Sequence, residues 1–100
     1  MTMKSYPDFS IFQRVISSRW MLLILHGLDT PKRFGDIQSD LEGLSRGVLA
    51  AQLQELLQMG LLTQFKYTCF PPRVEYQITP KGQGLMDILS QLPTAAVISP

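Results

Sequence analysis

The spacing of apolar residues along this chain changes twice, and those two changes confine what it can fold into. Up to Gly60 they recur every three or four positions, as on one face of a helix. From Leu62 to Ile78 the pattern alternates, as in strands, and beyond Pro80 the helical spacing returns. A chain patterned in this way is mainly α, with one small β-hairpin set between helices. Its 100 residues, 45% apolar and 17% charged, suffice for a single domain with a core and argue against disorder. A domain of this size hides only about two-thirds of its unfolded surface, so a second chain can contribute to its stability.

Local signals divide the first part into four helices. Pro7-Asp8 opens the first, in which Phe9, Phe12, Val15 and Ile16 keep helical spacing; Ser17-Ser18 breaks it and caps the next. The second, from Arg19 to about Leu28, is apolar around most of its circumference, which suits the central helix of a domain. Asp29-Thr30-Pro31 ends it. After Lys32-Arg33, a third helix carries Phe34, Ile37 and Leu41 on one face and closes at Gly43. Ser45 then caps a fourth, with Val48, Leu49, Leu53, Leu56, Leu57 and Met59 turned inward and Gly60 as its left-handed stop. Two helices joined by a short turn containing glycine form a helix-turn-helix.

The hairpin follows. Residues 62–68 read as one strand and Val74–Ile78 as the second, while Cys69-Phe70-Pro71-Pro72-Arg73 is a stiff connection because two prolines fix φ. Thr79-Pro80 pairs a cap with a proline at the first helical position and opens the last helix, with Leu85, Ile88, Leu89 and Leu92 on one stripe before Pro93. The expected organisation is an arm over 1–8, one domain over 9–92 and a tail over 93–100.

Nine Lys and Arg stand against eight Asp and Glu, a net charge of +1, so bulk basicity does not mark a nucleic-acid binder; only the placement of charge can. The single Cys69 forms no internal disulfide and fits a reducing compartment. The first residues lack the apolar core of a signal peptide, and the run Trp20–Leu25 is far shorter than the roughly twenty residues of a membrane span. A soluble cytoplasmic protein without membrane contact is expected. Catalysis finds no support: His26 is the only histidine, too few for a zinc site together with Cys69, and no cofactor motif is present. Gly82-Gln83-Gly84 lies within a helix and lacks the strand and third glycine of a dinucleotide fingerprint. Asp36 and Asp40 lie on a solvated helix side, where a charged pair is ordinary.

Three stretches carry a resemblance: 19–25 (RWMLLIL), 31–37 (PKRFGDI) and above all 71–79 (PPRVEYQIT). With these in this order the chain resembles the HxlR-type, MarR-like winged helix-turn-helix transcriptional regulators from about Phe9 to Leu92. The resemblance implies a symmetric homodimer that binds double-stranded DNA, with helix 45–59 in the major groove and the wing 61–78 beside it. On the helix, Ser45, Arg46, Gly47, Ala50, Ala51 and Gln54 would face the duplex: Arg46 toward guanine or phosphate, Gln54 toward adenine, the alanines toward thymine methyls. Lys32 and Arg33 would hold phosphates and set register, and Lys66 and Arg73 would serve the wing, unless Arg73 is taken up by Glu75. The dimer would form through Phe9, Phe12, Ile16, Leu85, Ile88, Leu89 and Leu92 of the first and last helices.

The chain departs from that family in three respects. Gly47, Gln52 and Gln54 stand where relatives usually carry lysine or arginine, and the five basic residues from Thr30 to Thr79 are matched by five acids. Weak, salt-sensitive binding per protomer is expected, or the alternative of a winged-helix protein-interaction module with weakened DNA binding. Pro93 shortens the last helix and with it the dimer contact. Some relatives sense oxidants with a cysteine just before the first helix, where this chain has the neighbourhood of Pro7. Cys69, near the wing tip, is the remaining redox-sensitive candidate, against the plainer reading of an ordinary exposed thiol. No motif implies a particular effector.

Overall fold

The computed structural model describes the backbone of residues 7–91 and the side chains of 10–91. Within them the order is α1 (Pro7–Ile16), α2 (Arg19–Gly27), α3 (Phe34–Asp40), α4 (Arg46–Gln58), β1 (Leu62–Tyr67), β2 (Arg73–Ile78) and α5 (Pro80–Ser90). This is the winged helix-turn-helix expected from the apolar spacing and from the resemblance.

Most boundaries follow from local hydrogen bonding. The hydroxyls of Ser18, Ser45 and Thr79 accept from the N–H groups of Met21, Val48 and Gly82, each satisfying a donor that a helix start leaves unpaired. Gly43 and Gly60 have φ of 85° and 76°, the left-handed backbone that lets a helix end and the chain turn. Thr79 has a second task. Its hydroxyl donates to the Gly60 carbonyl at 2.6 Å and its N–H donates to the Leu61 carbonyl at 3.0 Å, stitching the end of the hairpin to its beginning.

The apolar helix α2 is central, touching α1, α3, α4 and α5. Met21, Ile24, Leu25 and Leu28 pack with Val15, Ile37, Leu44, Leu49, Leu53, Leu56, Leu61, Leu62 and Leu85 in one core. The strands pair antiparallel in register Leu62↔Ile78 through Tyr67↔Arg73, so the hairpin is buried only at its root. Lys32 adds a bridge on the far side of β2, exchanging backbone hydrogen bonds with Tyr76 at 2.7 and 3.1 Å. That bridge fixes the start of α3 against the hairpin.

Several expectations are corrected. Val48, expected to face inward, is 42% exposed: the buried face of α4 follows Leu49, Leu53 and Leu56, and Val48 lies about 100° around the helix from Leu49. Leu85, expected at the dimer contact, is buried in the protomer's own core, because α5 packs that side against α2 and the hairpin root. Arg73 belongs to β2 rather than to the connection, and Thr68 lies beyond β1. Leu92 and the expected tail from Pro93 fall outside the described residues, as does the side chain of Phe9.

Gly82 has a packing role. A Cβ there would lie 2.8 Å from Ile78 Cγ1 and closer still to the Leu61 carbonyl. Only glycine lets α5 approach the hairpin root this closely.

Candidate nucleic-acid interface

The expected contact residues sit on three elements that touch one another in series. At the start of α4, the Arg46 guanidinium lies 4.7 Å from the centre of the Phe34 ring, the first residue of α3. Phe34 follows Lys32-Arg33, and Lys32 is bridged to Tyr76 of β2. The start of α4, the start of α3 and the wing are thereby joined through side chains and backbone.

On α4, Ser45, Arg46, Gly47, Ala50, Ala51 and Gln54 are all exposed. The buried leucines hold the opposite face and fix the roll of the helix about its axis. Ser45 accepts from the Val48 N–H at 3.1 Å, which leaves its own O–H free to donate outward. The first N–H groups of α4 add a partial positive charge at the same end. Apart from Arg46 this face is small and neutral, a surface that lets backbone approach a groove closely but attracts it weakly.

The cations differ in how available they are. Lys32 Nζ lies 2.9 Å from Asp40 Oδ2, and that hydrogen bond raises the lysine above its ordinary pKa. Arg33 and Asp36 stand 3.9 Å apart, and Arg73 and Glu75 3.8 Å, separations beyond a hydrogen bond that a phosphate can displace. Lys66 and Arg46 have no acidic partner among the described residues. The two wing cations project to opposite faces of the hairpin, since Lys66 stands opposite Val74 and Arg73 opposite Tyr67.

Arg73 is held by more than Glu75. Its guanidinium lies 4.6 Å from the centre of the Tyr67 ring, and the Tyr67 hydroxyl donates to Glu75 Oε1 at 3.0 Å. That hydrogen bond raises the Tyr67 pKa, because loss of the phenol proton would set an anion beside the carboxylate. Phe65 meets Tyr67 edge to face at 5.1 Å, so one side of the wing is a continuous row of two rings and a cation. Alternation within each strand does not by itself put Tyr67 and Arg73 on one side; the pairing register does, because a one-residue slip would turn Arg73 to the other face.

Two other groups escaped the sequence reading. Arg14 of α1 donates to both carboxylate oxygens of Glu55 of α4, at 2.6 and 2.8 Å. The pairing holds Glu55 below the usual carboxylate range and Arg14 above its own, each first through the hydrogen bonds. Beside it, the Ser18 hydroxyl bonds Gln52 Oε1 at 3.3 Å. These contacts brace the inner flank of α4 against α1 and the start of α2, and no local signal points to them.

Cys69 is exposed at the wing tip, its Sγ 3.3 Å from the Pro71 carbonyl oxygen. On the first and last helices, Ile16 and Ile88 are 43% and 55% exposed and Phe12 and Leu89 half-buried. Between these helices runs an open groove of about 270 Å³, lined by Ile11, Leu61, Pro80, Leu85 and Ile88 among others. Among the described residues no helix is long and apolar enough to cross a membrane.

Comparison with known proteins agrees with this architecture. Residues 15–96 match the family model described as HxlR-like helix-turn-helix. MalR of Fusobacterium mortiferum, named as a regulatory protein, is 40% identical over 77 residues, 75% of this chain and 73% of that one. YtfH of Escherichia coli, named as an HTH-type transcriptional regulator, is 38% identical over 78 residues; the match spans 77% of this chain but only 62% of the relative's length. Among solved structures, the reduced form of the transcriptional regulator YodB from B. subtilis superposes with a TM-score of 0.79 at 32% identity, over 96% of this chain and 91% of that one.

Proposed function

The chain belongs to the HxlR-like helix-turn-helix family, and from that premise we propose that it is a transcriptional regulator that binds duplex DNA as a homodimer in the cytoplasm. The fourth helix enters the major groove with Arg46, Gly47, Ala50, Ala51 and Gln54 toward the bases, and Ser45 and the helix start toward phosphate. Lys32 and Arg33 track the backbone on one side, and Lys66 and Arg73 on the wing follow it on the other. The role is binding alone; the relatives carry the names of regulators, not of enzymes.

One observation carries this reading. The exposed face of α4 and the wing are tied into a single surface by Arg46 on Phe34 and by the Lys32–Tyr76 bridge, so cations on three elements are held in fixed relation. The exposed Ile16 of α1 and Ile88 of α5, the latter lining the groove between those helices, support the pairing of two copies through them. An isologous dimer of this kind presents its recognition helices to half-sites about one helical turn apart.

Fluorescence anisotropy of the purified protein against labelled duplex at about 50 mM salt tests the reading, because phosphate-dominated affinity is strongest at low ionic strength. Binding that weakens steeply with added salt is expected. A folded dimer that binds no duplex under those conditions rejects it.

The neutral composition of the α4 face favours one rival, a winged helix that docks protein instead of DNA. Charge reversal at Arg46 and Arg73 separates the two. The DNA reading expects duplex binding to vanish; the rival expects a retained protein partner with little salt dependence.

A further inference from the structure

The most exposed large apolar side chain among the described residues is Phe70, with 96% of its surface open to water. It stands at the end of the hairpin, next to Pro71 and Pro72, whose rings restrict the backbone of the tip. Strands of six residues carry the tip about 20 Å from its buried root. At that distance from the core Phe70 contributes nothing to folding, and its ring is a rigid apolar blade on a stiff mount.

The surroundings say what the blade meets. No acid lies between Glu55 and Glu75, a stretch that includes both strand ends and the whole tip, whereas Lys66 and Arg73 flank it. The acid nearest in sequence, Glu75, is engaged by the Tyr67 hydroxyl and by Arg73. An exposed ring with cations on both limbs and no free carboxylate matches a narrow, strongly negative groove with stacked bases at its floor. We propose that Phe70 is a minor-groove wedge: when α4 sits in the major groove, the ring enters the neighbouring minor groove and partly unstacks one base step, kinking the duplex. Arg73, stacked on Tyr67, lies along the wall of the same groove. The wedge favours pyrimidine–purine steps, which unstack most easily, so the wing selects sequence through deformability where the α4 face has few groups to read bases directly.

This inference rests on the reading that the chain binds duplex DNA, and the test keeps the two apart. The probe is a mixed-sequence duplex of about three helical turns, with a donor and an acceptor dye at its ends. Anisotropy reports binding and energy transfer reports bending, for wild type, Phe70→Ala, Phe70→Leu and Arg73→Ala. Wild type is expected to bring the ends closer. Phe70→Ala is expected to bind roughly tenfold more weakly and to leave the duplex straight, with an unchanged salt slope because no phosphate contact is lost. Phe70→Leu, still an apolar wedge, retains most of the bend, and Arg73→Ala lowers the salt slope by about 0.9. Thermal midpoints of the two Phe70 variants stay at the wild-type value, since the ring packs on nothing. Phe70→Ala binding and bending like wild type overturns the wedge alone, as does a fall in its salt slope. A wild-type protein that binds no duplex overturns the DNA reading and the wedge together.

Discussion

The outward face of α4 and the distal half of the hairpin are joined through α3, yet they are built from opposite materials. The helix face is small and neutral, with Gly47, Ala50, Ala51 and Gln54 beside a single arginine, and it is clamped from behind by Leu49, Leu53 and Leu56. The hairpin is cationic and aromatic, with Lys66, Arg73, Phe65, Tyr67 and Phe70, and only its root is buried. Position and attraction are therefore separated. The helix has the rigidity to fit a groove but little charge to draw one in, and the wing has the charge and the rings on a slender support. A protein with net charge of +1 can still hold a duplex if the charge it has is grouped where reach is greatest.

The support of the wing is the place where the contrast breaks most readily. Gly82→Ala drives a Cβ against the Leu61 carbonyl and Ile78 Cγ1; overpacking of this kind costs about 1–3 kcal/mol, and against a rigid carbonyl the upper part of that range outweighs the roughly 1 kcal/mol that alanine gains over glycine in a helix, for a net loss of up to about 2 kcal/mol. Gly84→Ala, two residues on and open to space, is expected to stabilise the chain instead. Urea unfolding of both variants reads the difference in sign.

The division of labour is sharpened by changing one side at a time. Lys66→Ala with Arg73→Ala is expected to lower the salt slope of duplex binding by about 1.8, two phosphate contacts at about 0.9 each. Gln54→Ala leaves the slope alone and narrows the preference among sequences, by about 1–3 kcal/mol at one base pair where the amide reads adenine. Titrations at several salt concentrations against two duplex sequences separate the effects. Equal slopes in all three proteins would place the electrostatic contact elsewhere than the wing.

The smallest effect concerns the clamp behind α4. Arg14 depresses the Glu55 pKa in the folded chain, so the unfolded chain takes up that proton more readily. The pair thus stabilises fully above the unfolded carboxylate value near 4.3, and its contribution is lost as pH falls through the lower folded value. Both side chains are more than a third exposed, 40% and 37%, and solvent screening holds the contribution to about 1 kcal/mol or less. Glu55→Gln should lower stability at neutral pH by that amount and match wild type in strong acid, as measured by urea midpoints across pH.

Much of the fold was legible because its signals are local. Ser18, Ser45 and Thr79 act as caps within three residues of their partners, and Gly43 and Gly60 adopt the backbone that only their own lack of a Cβ makes easy. The exposed face of α4 was legible too, since the period of its leucines fixes the opposite side. The relation among the site residues was not. Arg46 on Phe34, Arg73 on Tyr67 and Lys32 on Asp40 depend on how helices cross and how strands register, and each removes some freedom from a cation that the sequence presents as free. The same holds for Val48 and Leu85, whose apolar character says that they prefer burial but not which of them finds a neighbour.

By itself, then, the amino-acid order determined the elements, their caps and the sides they turn inward, because hydrogen bonds and periodicity act within a few residues. Only the tertiary structure decided that Gly82 must be glycine, that Arg14 braces α4 through Glu55, and that Phe70 stands clear of everything while Arg73 beside it is held on Tyr67. Those outcomes rest on distances between segments far apart in the chain, and such distances exist only once the helices and hairpin have packed.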